Sequence, residues 1–490
     1  MTGTGASEGV LGLVQRHRLS LLLGGAQVAL IVLYALTASN NFKQEPRSLS
    51  VPAYAGFQDT HLGLVLGLGL LVVFVKRGSV SAVAFHLLLV ALSLQWAAWL
   101  LQVARTRGQA VSLSIDSILV GDFGVLAVLV SLGAVMGKLT PLQLILMAFL
   151  EIVFVAVNHY ILDQLFQVAD CGWGLCAHTF GAFFGLAVSR LTYQQHHLDH
   201  PQATSTYSSD LFALIGTLVL WVVFPGLNAA MAPGSSGELA AVNSILALGA
   251  ASVTVFALSI AAGSEQRFSV AHLQNAVLAG GVGIATTAHL LVKPYCALII
   301  GALSGLVSVL GFAKLQTPCF RKLKVSDTRG VLALHGLPGI LGGLFSFLVA
   351  GLVSLDSLGL QLYSAYPAMA PANASMAVEE AVRRLLASGE LEGGLGRGGW
   401  SQGLFQLAGL GVVLLIAVLG GAATGFLLSL RCFRQLTAEE VFDDCVFSDV
   451  AKEGLPAYTV YVPPPAPEPK EEEAVELQPK EEEKEAKEDA

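Results

Sequence analysis

Long apolar runs alternate with short polar breaks along most of the chain. Twelve runs can cross ~30 Å of hydrocarbon at ~1.5 Å of rise per residue. They predict helices over 19–37, 56–75, 81–104, 114–136, 141–165, 172–193, 209–228, 239–262, 271–291, 294–315, 329–353 and 404–430. The breaks carry glycine, proline and charge: "KRGS" at 76, "GKLTP" at 137, "QQHHLDHPQ" at 194 and "RKLKVSDTRG" at 321. The first run is longer than the ~7–15 apolar residues of a secretion signal, so it is expected to remain as a helix.

Composition sharpens this into a class. Charged residues make up 13% of the chain and hydrophobic residues 54%, with a mean hydropathy of +0.67, whereas a soluble domain carries roughly a quarter charged residues. The expectation is an all-α polytopic membrane protein. The 52 glycines fit helices that approach closely. The net charge of −8 reflects mostly residues 465–490, which are acidic and lack aromatics. Such a stretch cannot bury enough apolar surface to fold alone. The expected division is a membrane domain over 1–435, a cytoplasmic cap segment over 436–455 and a disordered acidic tail over 456–490. Nothing is basic enough to suggest nucleic acid.

Lysine and arginine set orientation, because they accumulate in short cytoplasmic loops. With twelve spans, the loops on the side of the two termini hold 14 of them and the opposite loops 8. Both termini are therefore expected inside. The sequon "NAS" at Asn373, in the long loop 354–403, falls outside, where glycans are added.

Two segments carry the chemistry. "DCGWGLCAH" sets Asp170 eight residues before His178, and "DTRGVLALH" sets Asp327 eight residues before His335. Glycines follow both histidines, and the two segments cross in opposite directions, as an inverted repeat would. An ionisable group inside the bilayer suggests function. A neutral imidazole donates through one nitrogen and accepts through the other, so two facing rings can share a hydrogen and line a narrow polar strip. Ammonia, with a lone pair and N–H bonds, suits that strip. The plain alternative is that each histidine bridges helices as a satisfied partner. Asp327 reads best as a helix N-cap, and Asp170 divides evenly between a cap and a vestibule acid. The six cysteines, Cys171, Cys176, Cys296, Cys319, Cys432 and Cys445, form no CxxC motif. Cys171 and Cys176 could pair on an oxidising face. They and His178 fall short of the four ligands zinc wants. "GDFGV" adds Asp122 and Phe123 to the fourth span, where an aromatic ring can constrict a pore.

"HTFGAFFGLAVSR", "SDLFALIGTLVLWVVFPGLNAA", "NAVLAGGVG", "LHGLPGILGG" and the late "FDD" resemble the Rh glycoproteins of the ammonium transporter/Rhesus family. The likeness covers nearly all of residues 10–450. It implies eleven or twelve helices with an inverted five-helix repeat, one pore per subunit, a homotrimer in the plasma membrane, and passage of ammonia or ammonium without catalysis or cofactor. It matches His178 and His335 to twin pore histidines, Asp170 to an acid at the outer vestibule, and Phe123 to a gating phenylalanine. Trp221 and Asn228 fall on the seventh-span pattern. Two positions depart. A second gating phenylalanine is expected just before Asn228, where this chain has Leu227. His289 stands where many relatives have an acid. These departures keep a rival open: a non-conducting structural partner that binds an adaptor through its tail. Carbon dioxide conduction through the same pore is a third reading.

Overall fold

The structure, a computed structural model, describes residues 18–40, 51–73, 79–106, 108, 111–232, 236–262, 266–291, 293–353, 362–371 and 393–449. Asn373 and the acidic tail lie outside the described residues.

All twelve expected helices are present. In a bilayer every backbone polar group must bond within the protein, and helices do this inside one segment. They are α1 (Arg18–Thr37), α2 (Val51–Leu62, running on to Leu71), α3 (Ser79–Arg105), α4 (Ile115–Val135) and α5 (Pro141–Tyr160, running on to Phe166). Next come α6 (Gly174–Thr179, then Phe180–Leu191), α7 (Tyr207–Ala230), α8 (Ser236–Ala262) and α9 (Val270–Asn275, running on to Ile284). Last are α10 (Pro294–Leu310, running on to Leu315), α11 (Leu332–Gly336, then Leu337–Leu352) and α12 (Gly399–Leu428). Among the described residues, nine helices are long and apolar enough to span a membrane on their own. Wide turns, closed one residue later than an α-turn, interrupt α2 and open α6 and α11.

Local signals set the ends. Ser114 and Ser117 form a reciprocal capping box at the start of α4, Thr140 and Gln143 at α5, and Thr206 and Ser209 at α7. Pro141 and Pro294 occupy first turns, where a missing N–H costs nothing.

Helices α2–α6 and α7–α11 form the two five-helix halves. The last helix of each, α6 and α11, carries a histidine, and the two start from opposite ends of α4. Trp173, just before α6, stacks on Phe123 in the first half of α4. Arg329, just before α11, donates its N–H to Gly133 O at the other end (3.1 Å).

Helix α4 is almost wholly buried and packs tightly on α6. A Cβ on Gly181 would lie 2.4 Å from Ala127 O, and one on Gly185 2.7 Å from Ser131 Cα. Only glycine allows that approach.

Helix α1 lies on the periphery and is held to α3 by polar contacts. Gln27 and Gln95 bond reciprocally, Tyr34 donates to Gln95 O (2.6 Å), and the Trp99 indole donates to Thr37 Oγ1 (2.8 Å). Short strands β1 (Ala38–Asn40) and β2 (Val111–Leu113) pair in parallel at one end of α1. At its other end Arg18 bonds Cys432 O, so the two ends of the helical bundle share a face.

On that face the stretch after α12 folds back under the bundle. Phe442 packs where Gly137, with φ +76°, has no Cβ, and donates its N–H to Gly137 O (2.9 Å). Asp444 caps α3 by accepting from Val80 and Ser81 N (3.0 and 2.7 Å).

Candidate functional site

The site is built from two matched helix starts. Asp170 accepts from Leu175 N (3.0 and 3.2 Å) and Cys176 N (2.9 Å) at the opening of α6. Asp327 accepts from Gly330, Val331 (2.9 Å each) and Leu332 N (3.0 Å) at the opening of α11. Both aspartates are therefore caps, and Asp170 also lies in the wall of a vestibule. Burial pushes the Asp170 carboxyl above its usual range, against the lowering effect of the Cys176 and Leu175 amides.

Each capped turn ends one residue past a histidine and delivers it inward. His178 and His335 meet with Nδ1 atoms 3.0 Å apart. Their planes differ by 5° and their centroids are 5.0 Å apart, so the rings lie edge to edge. One Nδ1 must carry a hydrogen and the other must not, a shared-hydrogen arrangement assigned from geometry. The His178 Nε2 is buried and has no protein partner.

Next to the pair lies a narrow cavity of about 10 Å³, walled by His178, His335, Phe224, Leu227, Leu126 and Leu334 among others. The two imidazoles are the polar side chains among its lining residues. Phe224 stacks over His178 (centroids 5.8 Å, 19°). Toward one face lies a wider vestibule of about 340 Å³, lined by Arg105, His159, Asp163, Asp170, Trp173 and His289 among others. Phe123, fully buried, sits one turn along α4 from Leu126. It stacks on Trp173 at 5.3 Å, and Trp173 stacks on His159 at 4.6 Å. Trp173 and His159 belong to the vestibule wall, and Phe123 packs behind them.

The structure thus brings together His178, His335, Leu227 and the Phe123 stack, with Asp170 and His289 at the vestibule. Asn228 and Trp221 turn elsewhere. Asn228 is one residue, about 100° of helix, past the cavity-lining Leu227. It donates to Ser244 Oγ (2.9 Å) and Gly281 O (3.0 Å), bracing α7 against α8 and α9. The Trp221 indole donates to Ser252 Oγ (3.2 Å) on α8. Asp122 faces away from the bore and pairs with His61 Nδ1 at 3.1 Å. Cys171 and Cys176 are free thiols, and Cys171 points at Asn228 O and Ala285 O (3.5 Å each). Among the described residues no three His, Cys, Asp or Glu side chains gather to hold a metal.

Sequence reasoning missed Phe224, Trp173 and His159. Phe224 carried a signal: it lies three residues before Leu227, on the same helical face. It lines the cavity beside Leu227 and stacks on His178.

Comparison with known proteins agrees with this architecture. Residues 25–446 match the model of the Ammonium Transporter Family. The chain is similar to ammonium transporter Rh type B of Sus scrofa, 39% identical over 404 residues, covering 82% of this chain and 83% of that protein. It is also similar to ammonium transporter Rh type C of Pan troglodytes, 37% identical over 417 residues, covering 84% and 81%. Among solved structures it resembles Nitrosomonas europaea Rh50, from work on conduction by Rhesus channels, at 29% identity and TM-score 0.65, covering 82% of this chain and 93% of that one. Saccharomyces cerevisiae Mep2 shares the fold at 16% identity and TM-score 0.59, covering 79% and 88%.

Proposed function

The chain belongs to the ammonium transporter family, in its Rh branch, and from that premise we propose that it passes ammonia or ammonium across a membrane along its twin histidines. The observation that carries this reading is the edge-to-edge pair at 3.0 Å beside a narrow cavity whose other walls are apolar. A solute leaving the vestibule loses its water there. Ammonia can donate to one ring nitrogen and accept from another, which offsets part of that loss. Ammonium finds no carboxylate in the cavity wall, so its charge must be given up or spread over the imidazoles.

In this reading solute enters the vestibule near Asp170 and His289, passes the Phe123–Trp173 stack, then Phe224 and Leu227, and crosses along His178 and His335. Asp170 acts as a cap that holds the His178 turn. Asn228 acts behind the wall, keeping α7 in register. The vestibule face is extracellular, both termini are cytoplasmic, and the protein resides in the plasma membrane as a homotrimer with one pore per subunit. The membrane domain of residues 1–435 is followed by a cytoplasmic cap segment that begins at 436, and the acidic tail beyond it, outside the described residues, offers an adaptor site. Asn373 carries the glycan. Solute crosses without net chemical change, any proton given up on one side being regained on the other, which is transport and not catalysis.

The test is ammonia and methylammonium uptake into proteoliposomes. Wild-type uptake above empty liposomes is expected, with loss in His178→Ala and His335→Ala. Uptake equal to empty liposomes, or unchanged by both substitutions, overturns the reading.

A further inference from the structure

Glu151 lies in the middle of α5, with no exposure at all. Its Oε1 is 2.5 Å from Ser131 Oγ of α4, and the same Oγ is 2.7 Å from Gly181 O of α6. A serine hydroxyl has one hydrogen. If the carboxyl is ionised, both neighbours are acceptors, and one of these close contacts sets lone pair against lone pair. Oε2 has no hydrogen-bond partner. No Lys or Arg lies within salt-bridge distance among the described ion pairs. A proton on Oε1 removes the clash of lone pairs and leaves Oε2 a neutral carbonyl oxygen rather than a buried charge. Glu151 then donates to Ser131 Oγ, and Ser131 donates to the Gly181 carbonyl.

We propose that Glu151, as a neutral acid, is a positioning residue of the pore, closing a three-helix clamp through Ser131 onto the helix that carries His178. This rests on the conduction path described above. The clamp grips α6 at Gly181, three residues past His178. It sits at the closest approach of α4 and α6, where Gly181 lies against Ala127 O and Gly185 against Ser131 Cα. Helix α4 also carries Phe123, about two turns before Ser131. The clamp therefore fixes the depth of the His178 ring relative to the aromatic stack. The second half is built differently: three residues past His335 stands Pro338, and α11 meets α9 by Gly342 against Gly283 O. The two histidines are thus held by unlike means, and the hydrogen-bonded means acts on His178.

The experiment uses the full chain in proteoliposomes, with Glu151→Gln, Glu151→Ala and Ser131→Ala. Glutamine's amide donates to Ser131 as the protonated acid does. Glu151→Gln is therefore expected to keep methylammonium flux within about twofold and leave its pH profile unchanged, while Glu151→Ala and Ser131→Ala lower maximal flux by about tenfold without moving the half-saturating concentration. The infrared difference spectrum of wild type minus Glu151→Gln at neutral pH is expected to show the carbonyl stretch of a protonated carboxylic acid. A carboxylate band pair, or a loss of flux in Glu151→Gln as large as in Glu151→Ala, overturns the neutral clamp. Absence of flux in wild type overturns the conduction reading instead, so the two failures are distinct.

Discussion

Replacing Asp170 separates two roles that its position allows. The carboxylate closes the first turn of α6 by accepting from Leu175 and Cys176. Alanine leaves two enclosed N–H groups without acceptors, and loss of a cap costs about 2 kcal/mol. Asparagine keeps one acceptor oxygen and loses the charge, at about 1 kcal/mol. Amide exchange within the turn reads these energies directly. Ala177 and His178 donate their N–H groups to Trp173 O at 2.9 and 3.2 Å. Their exchange is expected to speed up by ~30-fold in Asp170→Ala and ~5-fold in Asp170→Asn, at 1.4 kcal/mol per tenfold. Proteoliposome flux per folded protein follows the same order, with Asn between wild type and Ala. If Asn is as inactive as Ala while both turns stay protected, the charge in the vestibule is what matters and the capping argument is wrong.

Other expectations follow from the same geometry. Phe224→Ala opens the space beside His178 and is expected to raise methylammonium passage relative to ammonia; an unchanged ratio in paired flux assays would show that this ring does not set the bore. Gly137→Ala forces a Cβ to within 2.2 Å of the Phe442 ring at φ +76°. That strain, about 1–3 kcal/mol, should undock Phe442 and speed exchange of the Val80 and Ser81 amides bonded to Asp444. Outside the membrane, burial and then Lys138 depress the pKa of His197 from 6.5 to about 3, and its Nδ1 accepts from Gln194 N (3.2 Å). The neutral ring's contribution is therefore complete above about 6.5 and declines as pH falls toward about 3. Exchange of the 194–200 backbone should rise across that window in wild type and stay flat in His197→Asn.

The helices were legible because the bilayer leaves the chain few choices: long apolar runs must bond their own backbones. The histidine pair was legible because the same eight-residue spacing from aspartate recurs, and a recurring spacing needs no knowledge of packing. What faced the pair was not. Leu227 and Asn228 are adjacent in sequence, yet one lines the cavity and the other braces α8, a difference set by helix phase. Leu227 lines the cavity as expected, and Phe224, one turn earlier, lines it as well without having been singled out. The wide turns under both histidines left no sequence mark, although they rotate each ring toward its partner. Glu151 is an isolated charge in an apolar run, and the role proposed for it rests on contacts with Ser131 and, through it, Gly181 that no sequence pattern marks.

The Asp444 contact bears on how the molecule is made. The amides it caps belong to residues 80 and 81 and are synthesised long before their acceptor. Until the stretch beyond α12 emerges, α3 begins on open donors and the hollow over Gly137 stands empty. Emergence of residues 442–444 thus closes the terminal face only after all twelve helices have been made, and a chain cut short before residue 442 lacks that seal.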